Sequence, residues 1–160
     1  MDFAKLSPIP FENVYHIGVV VNDIERGMAE VADQLGITWA PRRVANVTVR
    51  ESGQVRTYGL HVVYSRQGPP FLELIEGSGS GVWAAAPEPR LHHLGVYVED
   101  LAEEARRLVR SGMKLEASGV GPDHDDPDPV LFTYLMGSTG VRVELVDASG
   151  REGLLKWVRS

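Results

Sequence analysis

The chain has 160 residues, a formal net charge of −6 and no cysteine, and 43% of its residues are hydrophobic. This composition is typical of an ordinary globular domain. The negative charge argues against a nucleic-acid partner, because phosphate binding requires a basic surface. No apolar run approaches the ~20 residues that cross a bilayer, so we expect no membrane association. The lack of cysteine excludes disulfides and thiolate ligands, and it agrees with the cytoplasmic location that we expect.

The first half of the chain has the pattern of a strand, a helix and three further strands. Residues 15–21 alternate β-branched side chains, as strands do. Asn22 or Asp23 can cap a helix that ends at Gly36. Between these points, apolar residues recur at helical spacing at Ile24, Met28, Val31 and Leu35. Three strand-like segments follow, at residues 44–49, 55–65 and 70–75.

The second half repeats this order. Its first strand, residues 92–98, has the sequence HHLGVYV where the first half has YHIGVVV. A helix follows from its cap at Asp100 to Gly112, and strands are predicted at residues 114–118, 130–136 and 141–146. A single βαβββ unit would leave one face of its sheet uncovered, so we expect two units to pack together in one α+β domain. We place the modules at residues 14–77 and 91–147, a linker at 78–90 and an amphipathic tail at 148–160, all within a single domain spanning 1–160.

Two histidines and two glutamates occupy equivalent positions in the two repeats. His16 and His93 are 77 positions apart, and Glu73 and Glu144 are 71 positions apart. Each has an aliphatic residue next to it in a strand-like segment, so alternation predicts all four on one inner face. An isolated His or Glu in a strand is more often an ordinary polar residue, but the repetition favours a shared divalent ion such as Mn, Co, Ni, Fe or Zn.

The same alternation assigns the neighbours of the histidines. His92 is expected to face away from His93, so it would take no part in the site. Gly18 and Gly95 follow their histidines by two positions on the inner face. We expect them to leave space beside the metal.

Four motifs together resemble those of the vicinal oxygen chelate superfamily, which includes glyoxalase I, extradiol dioxygenases, bleomycin-resistance proteins and methylmalonyl-CoA epimerase. The motifs are HIGVVVNDIERG, FLELIEG, LHHLGVYVEDL and GSTGVRVELVD. Within the superfamily they are most similar to the methylmalonyl-CoA epimerase branch, over roughly residues 14–147. The resemblance implies an open, U-shaped sheet around a divalent metal ion in a homodimer. It also implies that His16, Glu73, His93 and Glu144 are the metal ligands.

The resemblance implies an activity as well. A small-molecule carbonyl substrate, for example a methylmalonyl-CoA-like acyl compound, would lose a proton next to its metal-held carbonyl and be epimerised or isomerised. The predicted base is Glu144 or His61, and Tyr97 can orient a substrate oxygen. His61 lies in GLHVVYS, a strand that offers no Glu where the epimerases have a further one. A glyoxalase-type lyase, an extradiol dioxygenase and a bleomycin-resistance-like binding protein are the alternatives.

Overall fold

The chain folds as two βαβββ units followed by a C-terminal helix. This computed structural model describes residues 9, 11–88 and 90–160, which contain eight strands and three α-helices. The first unit consists of β1 (Val14–Val21), α1 (Ile24–Leu35), β2 (Arg43–Glu51), β3 (Gln54–Tyr64) and β4 (Phe71–Glu76). The second consists of β5 (Arg90–Val98), α2 (Leu101–Arg110), β6 (Lys114–Gly119), β7 (Phe132–Met136) and β8 (Arg142–Asp147), and α3 (Arg151–Arg159) follows it. The predicted order of elements agrees with the structure. Residues 1–8, 10 and 89, which the predicted domain and linker include, lie outside the described part.

The helices of the two units begin at the predicted caps, α1 ends at the predicted Gly36, and α2 ends at Arg110, two residues before the predicted Gly112. Asp23 and Asp100 are the N-caps, and each carboxylate accepts a backbone N–H three residues further on at 3.0 Å. Gly36 ends α1 at φ +67°, a left-handed conformation that glycine adopts without steric cost. Gly112 has φ +101° just after α2.

The eight strands close into a barrel in the order β1-β4-β3-β2-β6-β7-β8-β5. Within each unit the first strand pairs in parallel with the fourth, and β1 pairs antiparallel with β5 between the units. The predicted open, U-shaped sheet is wrong in this respect. β2 and β6 pair through Val49↔Gly119, Arg50↔Ser118 and Glu51↔Ala117. This pairing satisfies backbone groups that two free edges would leave unpaired.

Opposite faces of the strands line the barrel interior and support the helices. The interior cluster includes Val20, Val49, Leu60 and Tyr134. On the outside, α1 packs Ile24 against Val21 and Leu74, and α2 packs Leu101 and Leu108 against Val98 and Leu145. The predicted tail forms α3, whose Leu154, Leu155 and Trp157 pack on Tyr64, Phe71 and Tyr97. None of the helices in the described part is long and apolar enough to span a bilayer.

Candidate metal centre

Strand register brings the four predicted ligands to one point in the barrel. β1 pairs Gly18 with Glu73 on β4 on one side and with His93 on β5 on the other. β5 in turn pairs Gly95 with His16 and with Glu144 on β8. The site therefore consists of two adjacent rows across the strands, each with a glycine between a His and a Glu. The rows are Glu73–Gly18–His93 and His16–Gly95–Glu144.

The two glycines make room for imidazole rings. A Cβ atom at Gly18 would overlap the ring of His93, and one at Gly95 would overlap the ring of His16. Each glycine thus accommodates the histidine of the other unit. We expected the two glycines to leave space beside a metal. The structure shows instead that this space is filled by the imidazole ring of the other unit.

The donor atoms lie close together and are almost completely buried. Nε2 of His16 lies 2.7 Å from Nε2 of His93. Glu144 Oε2 lies 3.0 Å from the first nitrogen and 3.2 Å from the second, and Glu73 Oε2 lies at 3.4 and 3.2 Å. Both imidazoles have 0% side-chain exposure, whereas Glu73 retains 9% and Glu144 12%. The accessible side of the centre is therefore the carboxylate side.

The charges of the site reinforce one another. Burial disfavours protonation of His93, but the carboxylates of Glu144 and Glu73 outweigh it and raise the pKa of His93 to about 9. Burial would likewise raise the pKa of Glu144, but the imidazoles, His93 foremost, hold it far below its usual value. The metal-free site thus favours a positive charge, and a proton on the His93 imidazole supplies that charge.

The residues present suit a divalent cation. The four donor atoms all lie within 4.8 Å of one another. Among the described residues, Glu73 Oε2 is buried without a hydrogen-bond partner, an arrangement that costs free energy unless a cation satisfies it. Imidazole nitrogen and carboxylate oxygen are the donors that borderline ions such as Zn, Co, Ni, Mn and Fe accept.

The prediction that His92 faces away from His93 is wrong. Gly18 pairs with His93, but Val19 already pairs with Leu91, so His92 is the extra residue of a β-bulge. The bulge turns its ring into the barrel, where it lies against Tyr134 at a centroid distance of 5.6 Å. Burial, together with the charges of His93 and Arg142, lowers the pKa of His92 to about 4. His92 is therefore an uncharged neighbour of the centre at neutral pH.

Two tyrosines that sequence reasoning missed complete the walls. Tyr64 is the strand partner of Glu73 and lies edge-on to the His16 ring, at 5.6 Å between centroids. Tyr134 is the partner of Glu144 and lies edge-on to His93, at 5.0 Å. Burial, followed by the nearby carboxylates, raises the pKa of both phenols well above the usual value. Both therefore remain hydroxyl donors.

Other predicted residues lie away from the four donors. His61 is three positions before the inward-facing Tyr64 on β3, so its ring is on the outer face of the barrel. There its Nδ1 lies 3.3 Å from Arg42, which pairs with Glu25 of α1 at 3.0 Å. The structure does not bring His61 to the centre, and we do not retain it as a base. Tyr97 faces inward and stacks on Tyr15 at 3.7 Å.

Comparison with known proteins identifies relatives of this fold. Residues 15–132 match the family model described as the Glyoxalase/Bleomycin resistance protein/Dioxygenase superfamily. No curated protein matches the chain significantly. Methylmalonyl-CoA epimerase from Mycobacterium tuberculosis has a similar structure, with a TM-score of 0.61, 20% identity, and 93% of this chain and 96% of that chain covered.

Two further solved structures are similar at lower scores. A variant of methylmalonyl-CoA epimerase from Streptomyces coelicolor, in complex with 2-nitronate-propionyl-CoA, has a TM-score of 0.56 and 16% identity over 85% of this chain and 97% of that chain. A mutant of 4-hydroxymandelate synthase from Streptomyces coelicolor has a TM-score of 0.52 and 16% identity over 85% of this chain and 38% of that chain. The family match covers well over half of the sequence, and the epimerases belong to the branch that the motifs most resemble. The family predicted from the motifs is thereby confirmed: the chain belongs to the Glyoxalase/Bleomycin resistance protein/Dioxygenase superfamily, the vicinal oxygen chelate proteins.

Proposed function

We propose that this protein is a metal-dependent enzyme that removes a proton from the carbon next to a carbonyl group, as an epimerase or isomerase does. The supporting observation is the convergence of His16, Glu73, His93 and Glu144, whose donor atoms all lie within 4.8 Å of one another. These four residues are the proposed ligands. Two neutral imidazoles and two carboxylates would balance the charge of a divalent ion, which matters in a site largely closed to water.

Glu144 is the proposed base. A bound divalent ion would supply Lewis acidity that polarises the substrate carbonyl and stabilises the charge developing on it. Glu144 directs Oε2 toward both imidazoles, at 3.0 and 3.2 Å, so Oε1 is the oxygen that would accept the proton. Its lowered pKa keeps this carboxylate ionised at neutral pH, as a base must be. Tyr134, the strand partner of Glu144, would hold a hydroxyl donor beside it.

The cavity next to the centre supports a small acyl substrate. A cavity of about 390 Å³ lies between β1, β4, β5 and α3, with Tyr15, Phe71, Tyr97 and Leu154 in its walls. Tyr15 reaches the centre, because its ring lies 4.5 Å from the His16 ring between centroids. The walls are mostly apolar, and Arg151 is a cation that can attract a carboxylate. A methylmalonyl-CoA-like acyl compound is the proposed substrate, in keeping with the two epimerases of similar fold.

Deuterium exchange tests the proposal. Protein loaded with Mn, Co, Ni or Zn is incubated with methylmalonyl-CoA in heavy water. Proton NMR follows the signal of the hydrogen on the carbon between the two carbonyl groups. We expect deuterium to enter there without a change of skeleton, and we expect Glu144→Gln or removal of the metal to abolish this. Glu99→Gln is the matched control, because it makes the same chemical change at an exposed carboxylate. It should exchange at the native rate.

Other outcomes would replace the proposal. A protein that binds none of these metals yet binds a small ligand would be a binding protein of the bleomycin-resistance kind. Oxygen uptake with a catechol substrate would indicate a dioxygenase, and carbon–sulfur bond formation from glutathione and an α-keto aldehyde would indicate a lyase. The homodimer implied by the family is also a proposal, and analytical ultracentrifugation measures it directly.

A further inference from the structure

We propose that His92 is a positioning residue for the metal centre: it accepts the Nδ1 proton of His93 and so leaves the Nε2 lone pair of His93 free for the metal. This inference rests on the proposed metal site and deepens it. His92 is not one of the four residues whose donor atoms converge. It acts through His93, its neighbour in β5.

Two short contacts define the arrangement. Nδ1 of His92 lies 2.9 Å from Nδ1 of His93, and Nε2 of His92 lies 2.7 Å from the backbone carbonyl oxygen of Val82. A carbonyl oxygen can only accept a hydrogen bond, so Nε2 of His92 must carry a proton. In the uncharged ring Nδ1 then has a lone pair, and the contact with His93 is satisfied when Nδ1 of His93 is the donor. The neutral His93 ring in this tautomer presents an unprotonated Nε2 to the centre.

Val82, His92 and His93 form a relay of hydrogen bonds, and contacts from other parts of the chain hold Val82 and His92 in place. The carbonyl of Val82 belongs to the short 3-10 turn Gly81–Trp83, in the linker between the two units. The backbone N–H of Val82 donates a hydrogen bond to Glu51 Oε1 at 2.9 Å, and this bond sets the orientation of the turn. The backbone carbonyl of His92 accepts a hydrogen bond from Arg142 Nη1 at 3.2 Å. A linker carbonyl therefore determines, through His92, which nitrogen of His93 holds the proton.

The first unit has no such relay. β1 also has a register shift between Val14 and His16, which makes Tyr15 the counterpart of His92. Tyr15 presents an aromatic edge to His16, and Nδ1 of His16 has no hydrogen-bond partner among the described residues. The two histidines are thus held differently. We expect His93 to be the pre-oriented ligand and the loss of His92 to affect metal binding, as changes to outer-shell partners generally do.

Nitrogen-15 NMR of histidine-labelled, metal-free protein tests the proton positions. Long-range proton–nitrogen correlations distinguish the two tautomers of His92, and an N–H···N hydrogen bond gives a scalar coupling between the two Nδ1 atoms. We expect His92 with its proton on Nε2, and a coupling to Nδ1 of His93. A proton on Nδ1 of His92 would overturn the inference. Because no metal is present, this result is independent of whether the proposed metal site exists.

Zinc affinity, measured by competition with a chromophoric chelator, tests the consequence. His92→Phe keeps an aromatic ring but removes the acceptor, and we expect a loss of roughly 10- to 100-fold. His92→Gln should restore most of the affinity, because its amide can both accept from His93 and donate to Val82. His61→Phe is the control, because it makes the same chemical change at a histidine on the outer face of the barrel, and it should bind zinc like the native protein. Native affinity in folded His92→Phe, or equal losses in His92→Phe and His92→Gln, would contradict the proposal. If His92→Phe fails to fold, the NMR result and the affinity of His92→Gln decide.

Discussion

Replacing Gly95 with alanine should displace the His16 imidazole from the centre. A Cβ atom at position 95 would lie 2.6 Å from His16 Nε2 and nearer still to Nδ1 and Cε1, whereas ordinary contacts begin at 3.4 Å. The ring must therefore move by roughly 1 Å, while a metal–ligand distance tolerates a change of only about 0.2 Å. We expect at least the roughly 10- to 100-fold loss of metal affinity caused by removing an outer-shell partner. Overpacking should also lower the free energy of unfolding by about 1–3 kcal/mol.

Gly59→Ala is the matched control for this substitution. Gly59 also lies in a strand, but the nearest atom to an added Cβ is Asn46 Oδ1, at an ordinary 3.6 Å. Chelator competition gives the zinc affinity of both variants, and urea titration gives their free energies of unfolding. Gly59→Ala should match the native protein in both measurements. If folded Gly95→Ala binds zinc as tightly as Gly59→Ala, then His16 is not a ligand and the reasoning is refuted.

Three further predictions concern pH, the outer face of the barrel and a helix cap. The pKa of His93 is raised from 6.5 to about 9, so the folded state favours the protonated imidazole. This contribution to the stability of the metal-free protein is complete below pH 6.5. Urea titrations should therefore show its free energy of unfolding decreasing by up to about 3 kcal/mol as the pH rises from 6.5 through 9, whereas zinc-loaded protein should lack this decrease. His61→Ala should leave zinc affinity and the deuterium exchange rate unchanged, because the ring lies beside Arg42 on the outer face; a loss of exchange would restore it as a candidate base. Asp100→Ala should lower the free energy of unfolding by about 1 kcal/mol, since the Asp100 carboxylate caps α2. Asp100→Asn should retain most of the capping free energy. Equal urea midpoints for Asp100→Ala and the native protein would contradict the capping role.

The order of elements and the converging residues could be predicted because repetition and alternation are visible in a sequence. HIG and HLG mark equivalent strands, and Glu73 and Glu144 mark the strands beside them. Alternation places one His and one Glu of each unit on the inner face. Parallel pairing of the first and fourth strands then brings them together.

Alternation failed where the backbone departs from regular pairing. A single extra residue in β5 reverses the side that His92 faces, and the sequence HHLG does not show it. Closure of the barrel depends on pairing between two strands far apart in sequence, β2 and β6, which no local pattern records. The pair Tyr64 and Tyr134 was detectable: these tyrosines are 70 positions apart, close to the spacing of the glutamates.

We propose that four residues from two equivalent units hold one divalent ion. This proposal is tested by an anomalous-difference map from crystals of zinc-loaded protein, with data collected at the zinc absorption edge. We expect one strong peak per chain, about 2.0–2.2 Å from Nε2 of His16 and His93 and from carboxylate oxygens of Glu73 and Glu144. A peak elsewhere, or no peak between these four side chains, would contradict it.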